Sequence, residues 1–186
     1  MKAIETIYNG YRFRSRLEAR WAIFFDELKI KYQYELEGYE LPNGMRYLPD
    51  FYIESMDLFV EIKPSVDLIS EDDIDKMTSF AIEGGKNLLL ITGEPTKDSM
   101  YFISDRTSYT IDDIECNENV DEADLYSFWK EKLIEEAPVK ILKDAVTWKW
   151  VVVQMGKIKD WIVDSEIKLA KTKAIRSRFE YSEKKK

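Results

Sequence analysis

The run Tyr47-Leu48-Pro49-Asp50-Phe51-Tyr52-Ile53, followed after Glu54-Ser55-Met56-Asp57 by Leu58-Phe59-Val60-Glu61-Ile62-Lys63, decides the fold of this chain. Both runs are rich in aromatic and β-branched residues and are separated by a short polar link, the pattern of two antiparallel strands joined by a tight turn. A turn centred on the link sets Ile53 against Leu58, and counting back pair by pair sets Asp50 against Glu61. Cross-strand neighbours have Cβ atoms about 5 Å apart, and like charges placed there destabilise a sheet. A divalent cation that prefers hard oxygen ligands, Mg²⁺ or Mn²⁺, neutralises such a pair. Strand alternation puts Lys63 on the face of Glu61, with Val60 and Ile62 on the other. The competing reading is a surface hairpin with an incidental ion pair, because Glu27/Lys29, Glu166/Lys168 and Glu183/Lys185 repeat the Glu-x-Lys spacing. What sets Glu61 and Lys63 apart is an apolar strand together with the only Pro-Asp dipeptide in the chain.

Composition narrows the chemistry. A length of 186 residues, 45% of them hydrophobic, fits one domain with a sizeable core, with at most a small appended subdomain. No stretch approaches the roughly 18 apolar residues of a membrane span, and the opening Met1-Lys2-Ala3-Ile4-Glu5-Thr6-Ile7 lacks a signal-peptide core. A soluble, cytoplasmic protein with no membrane partner is expected. Cys116 is the single cysteine and there is no histidine, which removes an essential part from His-dependent nucleases, Ser/His/Asp hydrolases, Cys/His proteases and the common zinc sites. Chemistry must run on carboxylates, Lys, Arg, Tyr and a borrowed metal.

The net charge of −8 hides a segregated pattern. Residues 1–20 carry five Lys/Arg against two Asp/Glu and residues 154–186 carry ten against five, so the ends are +3 and +5 and the middle, 13 against 29, is −16. Local positive surface attracts phosphate, so the ends can hold a polyanion while the acidic middle holds a metal. The final Lys184-Lys185-Lys186 reads as a solvated tail.

Along the chain, Asn9-Gly10 marks a hairpin turn. A helix follows, with Ser15 as N-cap, Glu18 in capping-box position and an apolar stripe of Leu17, Trp21, Phe24, Phe25 and Leu28. Strands are predicted over 32–41, 45–53 and 58–63. A helix is predicted from Glu71 to Glu83, capped by Ser70 and stopped by Gly84-Gly85, then strands over 87–92 and 101–104. The order is α-β-β-β-α-β. Gly84-Gly85-Lys86 follows a helix and lacks an earlier glycine, so it reads as a cap and not as a phosphate loop. Beyond 111 the character changes. Residues 112–136 are acidic with a helix over 121–133 carrying Trp129, 148–153 is a strand candidate, and 157–179 reads as a helix with Val163, Ile167, Ala170 and Ala174 on one face. The expected division is a core of residues 1–111 and a segment of residues 112–186, an acidic stretch and a basic C-terminal helix packed on or appended to that core.

Pro49-Asp50, then Glu61-Ile62-Lys63, after a helix carrying Glu18, resembles the PD-(D/E)XK nuclease superfamily. Arg12-Phe13-Arg14-Ser15-Arg16-Leu17-Glu18-Ala19-Arg20-Trp21-Ala22, Tyr47-Leu48-Pro49-Asp50-Phe51 and Ala174-Ile175-Arg176-Ser177-Arg178-Phe179-Glu180 are similar to small phage-type endonuclease-like members. The likeness covers residues 7–93 and returns near the C-terminus. It implies an α+β, restriction-endonuclease-like core with a mixed sheet, a partly helical C-terminal extension, and hydrolysis of DNA phosphodiester bonds by a Mg²⁺- or Mn²⁺-dependent endonuclease. A phage-encoded chain would act in the host cytoplasm, and a homodimer is left open. By the same resemblance Asp50, Glu61 and the Ile62 backbone carbonyl ligate the metal, Glu18 reaches it directly or through a water, and Lys63 positions and deprotonates the attacking water or stabilises the transition state. Glu18 also needs nothing beyond the capping box to explain it. Some relatives carry a zinc-binding Cys cluster that this chain lacks, so no zinc is expected.

Arg14, Arg16 and Arg20, and similarly Arg176 and Arg178, are candidate phosphate clamps or else solvated helix surface. Trp148 and Trp150 are candidates for base stacking or for core, and Tyr47 and Tyr52 read as structural. The rival to catalysis is a silent nucleic-acid- or protein-binding member of the fold, acting as a phage counter-defence factor. Retention of Asp50, Glu61 and Lys63 together weighs against it.

Overall fold

The computed structural model describes residues 3–96, 99–103, 139–143, 150–154 and 165–179. Among them is a mixed sheet of five strands in the order β3-β6-β7-β8-β9, with β3 Gln33–Tyr34, β6 Phe51–Ile53, β7 Leu58–Lys63, β8 Leu88–Thr92 and β9 Ser99–Ile103. Only β7 and β8 run parallel; the other neighbours are antiparallel. A parallel pair needs a crossover, and α2, Glu71–Thr78, lies within it.

Helix α1, Arg16–Glu27, follows a hairpin of β1, Thr6–Tyr8, and β2, Tyr11–Phe13, whose turn holds Asn9 and Gly10 at φ 47° and 81°. One face of the sheet, through Phe51, Ile53, Val60, Ile62, Leu89 and Ile91, packs on Trp21, Ala22, Phe24 and Phe25 of α1. The opposite face, through Phe59, Leu88, Leu90 and Tyr101, packs on Ile74, Met77 and Phe80. Alternation along β7 thus serves two cores and leaves Glu61 and Lys63 on the second face. The last described helix, α3, Ser165–Arg176, lies against α1 and buries Ile167, Ala170 and Ala174 in the first core. These are three of the four residues expected on its inner face; Val163 lies outside the described residues.

Two predicted strands are corrected. The run 32–41 is broken into β3 and β4, Tyr39–Glu40, because Glu35 turns the chain at φ 46°. The run 45–53 is broken into β5, Arg46–Tyr47, and β6; β4 and β5 form their own hairpin. The second helix begins at the Ser70 cap as expected but changes to a π-helical turn over Ser79–Glu83 before Gly84. Gly84 N–H donates to the Ser79 carbonyl at 2.9 Å and Gly85 has φ 62°, so the pair ends a helix. The strand expected at 101–104 runs Ser99–Ile103. Further along are β10, Val139–Lys143, and β11, Trp150–Gln154, paired antiparallel. The predicted helix over 121–133 with Trp129, residues 157–164 of the C-terminal helix, and Trp148 lie outside the described residues. Among the described residues no helix is long and apolar enough to cross a membrane.

Candidate active site

The link between β6 and β7 is a 3-10 turn, Glu54–Met56, closed by Asp57 at φ 46° with its N–H on the Glu54 carbonyl at 3.1 Å. Ile53 pairs with Leu58, Tyr52 with Phe59 and Phe51 with Val60. Continued by one step, this register would set Asp50 against Glu61. There the ladder stops and the Asp50 side chain takes over, Oδ2 accepting from Ile62 N–H at 2.7 Å. The Asp50 carbonyl turns the other way and accepts from Glu35 N–H at 2.9 Å. Pro49, with no N–H to place, precedes this handover.

Glu61 is buried, at 7% exposure, and both its oxygens are engaged. Tyr47 Oη donates to Oε2 at 2.9 Å and Lys63 Nζ lies 3.0 Å from Oε1. Lys63 reaches further, to Asp73 Oδ1 at 2.6 Å. Asp73 is the third residue of α2 and its Oδ2 accepts from Ser70 N–H and Oγ, at 3.0 and 2.7 Å, in a reciprocal capping box. The cluster lies toward the carboxyl end of β7, where Lys63 pairs with Thr92 of the parallel β8 and its carbonyl accepts from Gly93 N–H. Ligands of open sheets collect at such strand ends.

Glu18 comes from the other layer. It is buried at 8% exposure, and its carboxylate accepts from Ser15 Oγ at 2.5 Å, Tyr34 Oη at 2.6 Å and Arg14 N–H at 3.1 Å. The Ser15 cap is completed by Glu18 N–H on Ser15 Oγ. Held this way Glu18 closes the start of the helix, and its charge still reaches Asp50. Burial first, then the charges of Glu61 and Glu18, push the Asp50 carboxyl well above the ordinary carboxylate value, against the Ile62 N–H and Lys63. Burial also raises Glu61, with Lys63 and Tyr47 holding it back. For Lys63, burial favours the neutral amine but is outweighed by Glu61 and Asp73, so its pKa is raised and the ammonium is kept. For Asp73, burial is likewise outweighed, by Lys63 and Ser70, and the carboxyl is lowered.

Asp50 feels the charges of Glu61 and Glu18, while the Lys63 ammonium lies between Glu61 and Asp73. Among the described residues no three acidic, His or Cys side chains form a ready metal cage. The residues fit the sparser mode in which Mg²⁺ keeps several waters and takes one or two carboxylates plus substrate phosphate oxygens. Asp50 and Glu61 would hold it, with the Ile62 carbonyl beside them. Oε1 of Glu18 accepts one bond, from Ser15, and Oε2 accepts two, so a metal contact by Glu18 would fall to the remaining lone pair of Oε1.

The basic candidates divide. Arg14 pairs with Glu35 at 2.5 Å, Arg20 pairs with Glu94, and Arg16 is half-buried at the start of α1. Arg176 and Arg178 are exposed; Arg176 and Lys173 line a groove with Ile23 and Glu27, toward the other end of α1, and Lys173 is bonded to Glu27. Arg16 and Glu27 are eleven residues apart on one helix, about 16 Å at 1.5 Å per residue. The structure therefore keeps Arg14, Arg16 and Arg20 close in the chain to Glu18 and sets Arg176 apart from them. Tyr47 and Asp73 have partners that sequence reasoning did not anticipate. The sequence marked Ser70 as a cap, but neither the reciprocal bond of Asp73 nor its second bond, with Lys63, was read from it.

Neither the protein-family models, nor the curated proteins, nor the solved structures include a match to this chain. The class its own geometry defines is a mixed α/β protein with a five-stranded mixed sheet.

Proposed function

We propose that this chain is a Mg²⁺- or Mn²⁺-dependent nuclease that hydrolyses DNA phosphodiester bonds internally, an endonuclease with a restriction-endonuclease-like core of PD-(D/E)XK type. The observation that carries the reading is the convergence of Asp50, Glu61 and Lys63 at one strand end, with Asp50 Oδ2 bridged to β7 through Ile62 N–H at 2.7 Å and Lys63 Nζ 3.0 Å from Glu61. The bound metal would supply an acidified water and offset charge on the phosphate, so no histidine is required. Asp50 and Glu61 supply the negative charge that holds it. Lys63 keeps its proton, since its pKa is raised, which suits an ammonium that steadies charge developing on the phosphate oxygens over one that removes a proton from water. Arg14, Arg16 and Arg20, close to Glu18, lead the backbone toward the site.

The test incubates the protein with circular single-stranded DNA, supercoiled plasmid and linear RNA, in Mg²⁺, Mn²⁺ or EDTA. Cutting of the circles with metal and none with EDTA is expected. Asp50→Ala, Glu61→Ala and Lys63→Ala each lower the rate by more than about a hundredfold, the upper range for merely outer-shell partners. Glu18→Gln slows cleavage less. Cutting that survives both Asp50→Ala and Glu61→Ala removes the assignment.

A further inference from the structure

Lys63 is shared. Its Nζ lies between Glu61 Oε1 at 3.0 Å and Asp73 Oδ1 at 2.6 Å. Glu61 Oε1 is also part of the carboxylate pair that would hold the metal, so ammonium and cation are rivals for one oxygen. Asp73 gives the ammonium a second resting place. It can do so because its own position is fixed: Oδ2 accepts from the Ser70 N–H and hydroxyl, while Ser70 Oγ accepts from Asp73 N–H at 3.2 Å. The first turn of α2 is therefore a rigid mount that presents the other carboxylate oxygen to Lys63. A helix N-terminus needs a cap residue but not a lysine on it; the Lys63 bond is additional to the capping role.

We propose that Asp73, locked by the Ser70 capping box, is the positioning residue that draws the Lys63 ammonium off Glu61 and so frees that carboxylate for a divalent cation while keeping the ammonium at the site. This rests on the reading of Asp50 and Glu61 as metal ligands. Without Asp73 the ammonium has only Glu61, and it competes with the metal at full strength.

The experiment measures Mn²⁺ binding to the full chain, without substrate, by the decrease of the free-ion paramagnetic resonance signal. Asp73→Asn keeps an oxygen able to accept from Ser70 N–H, so the cap survives; thermal unfolding checks the fold. Its Mn²⁺ affinity falls about tenfold, in the range of outer-shell ligand partners. Asp72→Asn removes the same charge from the same exposed turn and leaves affinity unchanged, which separates the Lys63 bond from a general field at the helix end. In a Lys63→Ala background, Asp73→Asn has no further effect, because the rivalry it relieves is gone. Single-turnover cleavage by Asp73→Asn at saturating Mn²⁺ is slowed about tenfold with the DNA concentration dependence unchanged. Wild-type affinity in Asp73→Asn, or an equal drop with and without Lys63, overturns the proposal. Mn²⁺ binding by a wild type that cuts no nucleic acid refutes the nuclease reading, and the binding cycle still decides the role of Asp73. No Mn²⁺ binding by wild type overturns both.

Discussion

Asp50 spends its charge against its surroundings. Burial and the neighbouring Glu61 and Glu18 raise its carboxyl well above the unfolded value of 3.8, and only the Ile62 N–H and Lys63 favour the ion. Below that value the group is protonated in both states and contributes nothing to the pH dependence. As pH rises through it the unfolded chain releases a proton that the folded chain retains, so stability falls until the raised folded value is passed. Asp50→Asn keeps an oxygen for Ile62 N–H and removes the charge. In EDTA it should therefore unfold at or above the wild-type temperature at pH 7, with the gap closing toward pH 4. Each kcal/mol of relieved repulsion moves the midpoint by about 2–4 °C in a chain of this size. Millimolar Mg²⁺ or Mn²⁺ should raise the wild-type midpoint through binding to the folded state alone, and the variant's far less. Equal metal responses would show that Asp50 and Glu61 do not form a shared site. Tyr47 behaves oppositely. Its hydroxyl satisfies a buried Glu61 oxygen at 2.9 Å, and Tyr47→Phe leaves that oxygen without its donor, at a cost of about 1–3 kcal/mol in urea titration.

The elements show which local signals were sufficient and which were overruled. Ser15, Ser70 and Gly84-Gly85 each bounded a helix where sequence placed the boundary, because capping is chemistry within three or four residues. The β6–β7 register followed from a period of two and a short link. The break at Leu48-Pro49-Asp50 was legible, because a proline has no N–H for a ladder and interrupts a strand run; the interruption at Glu35 was not, because a glutamate at φ 46° has no compositional mark. Tyr47 and Asp73 were missed as site residues for a similar reason, since their partners, Glu61 and Lys63, are 14 and 10 positions away and on other elements. The π-helical turn over Ser79–Glu83 was also invisible to helical spacing, yet it leads to a sharp expectation. A Cβ on Gly84 would lie 2.5 Å from the Phe80 carbonyl oxygen, which is backbone and cannot swing aside. Gly84→Ala should cost about 1–3 kcal/mol, as overpacking does. A midpoint equal to wild type would mean that the turn relaxes freely.

At the scale of the whole molecule, a chain of net charge −8 binds a polyanion only through local positive surface, and the fold splits that surface in two. Arg14, Arg16 and Arg20 lie before and in the first half of α1, whereas Arg176 shares a groove with Ile23 and Glu27 toward its other end. The pairs of Arg14 with Glu35 and Arg20 with Glu94 are partly or largely exposed. Such pairs contribute about 0–1 kcal/mol, and phosphate can replace the carboxylate. Removing residues 174–186 is a poor test, because Ala174 is fully buried and Phe179 packs on the first core; weaker binding could then report unfolding. Substitution separates the two. Arg14→Gln/Arg16→Gln/Arg20→Gln and, independently, Arg176→Gln/Arg178→Gln should weaken DNA binding while leaving the Mn²⁺ response of the unfolding midpoint intact. Every arginine–phosphate pairing that a substitution abolishes should reduce the slope of log affinity against log salt by about 0.9 for duplex and about 0.7 for single strands. Fluorescence anisotropy with a labelled oligonucleotide across a salt series measures this. A flatter slope in the first variant alone would confine the DNA to the Glu18 end of α1. A slope unchanged in both would mean that the basic ends are not the nucleic-acid surface.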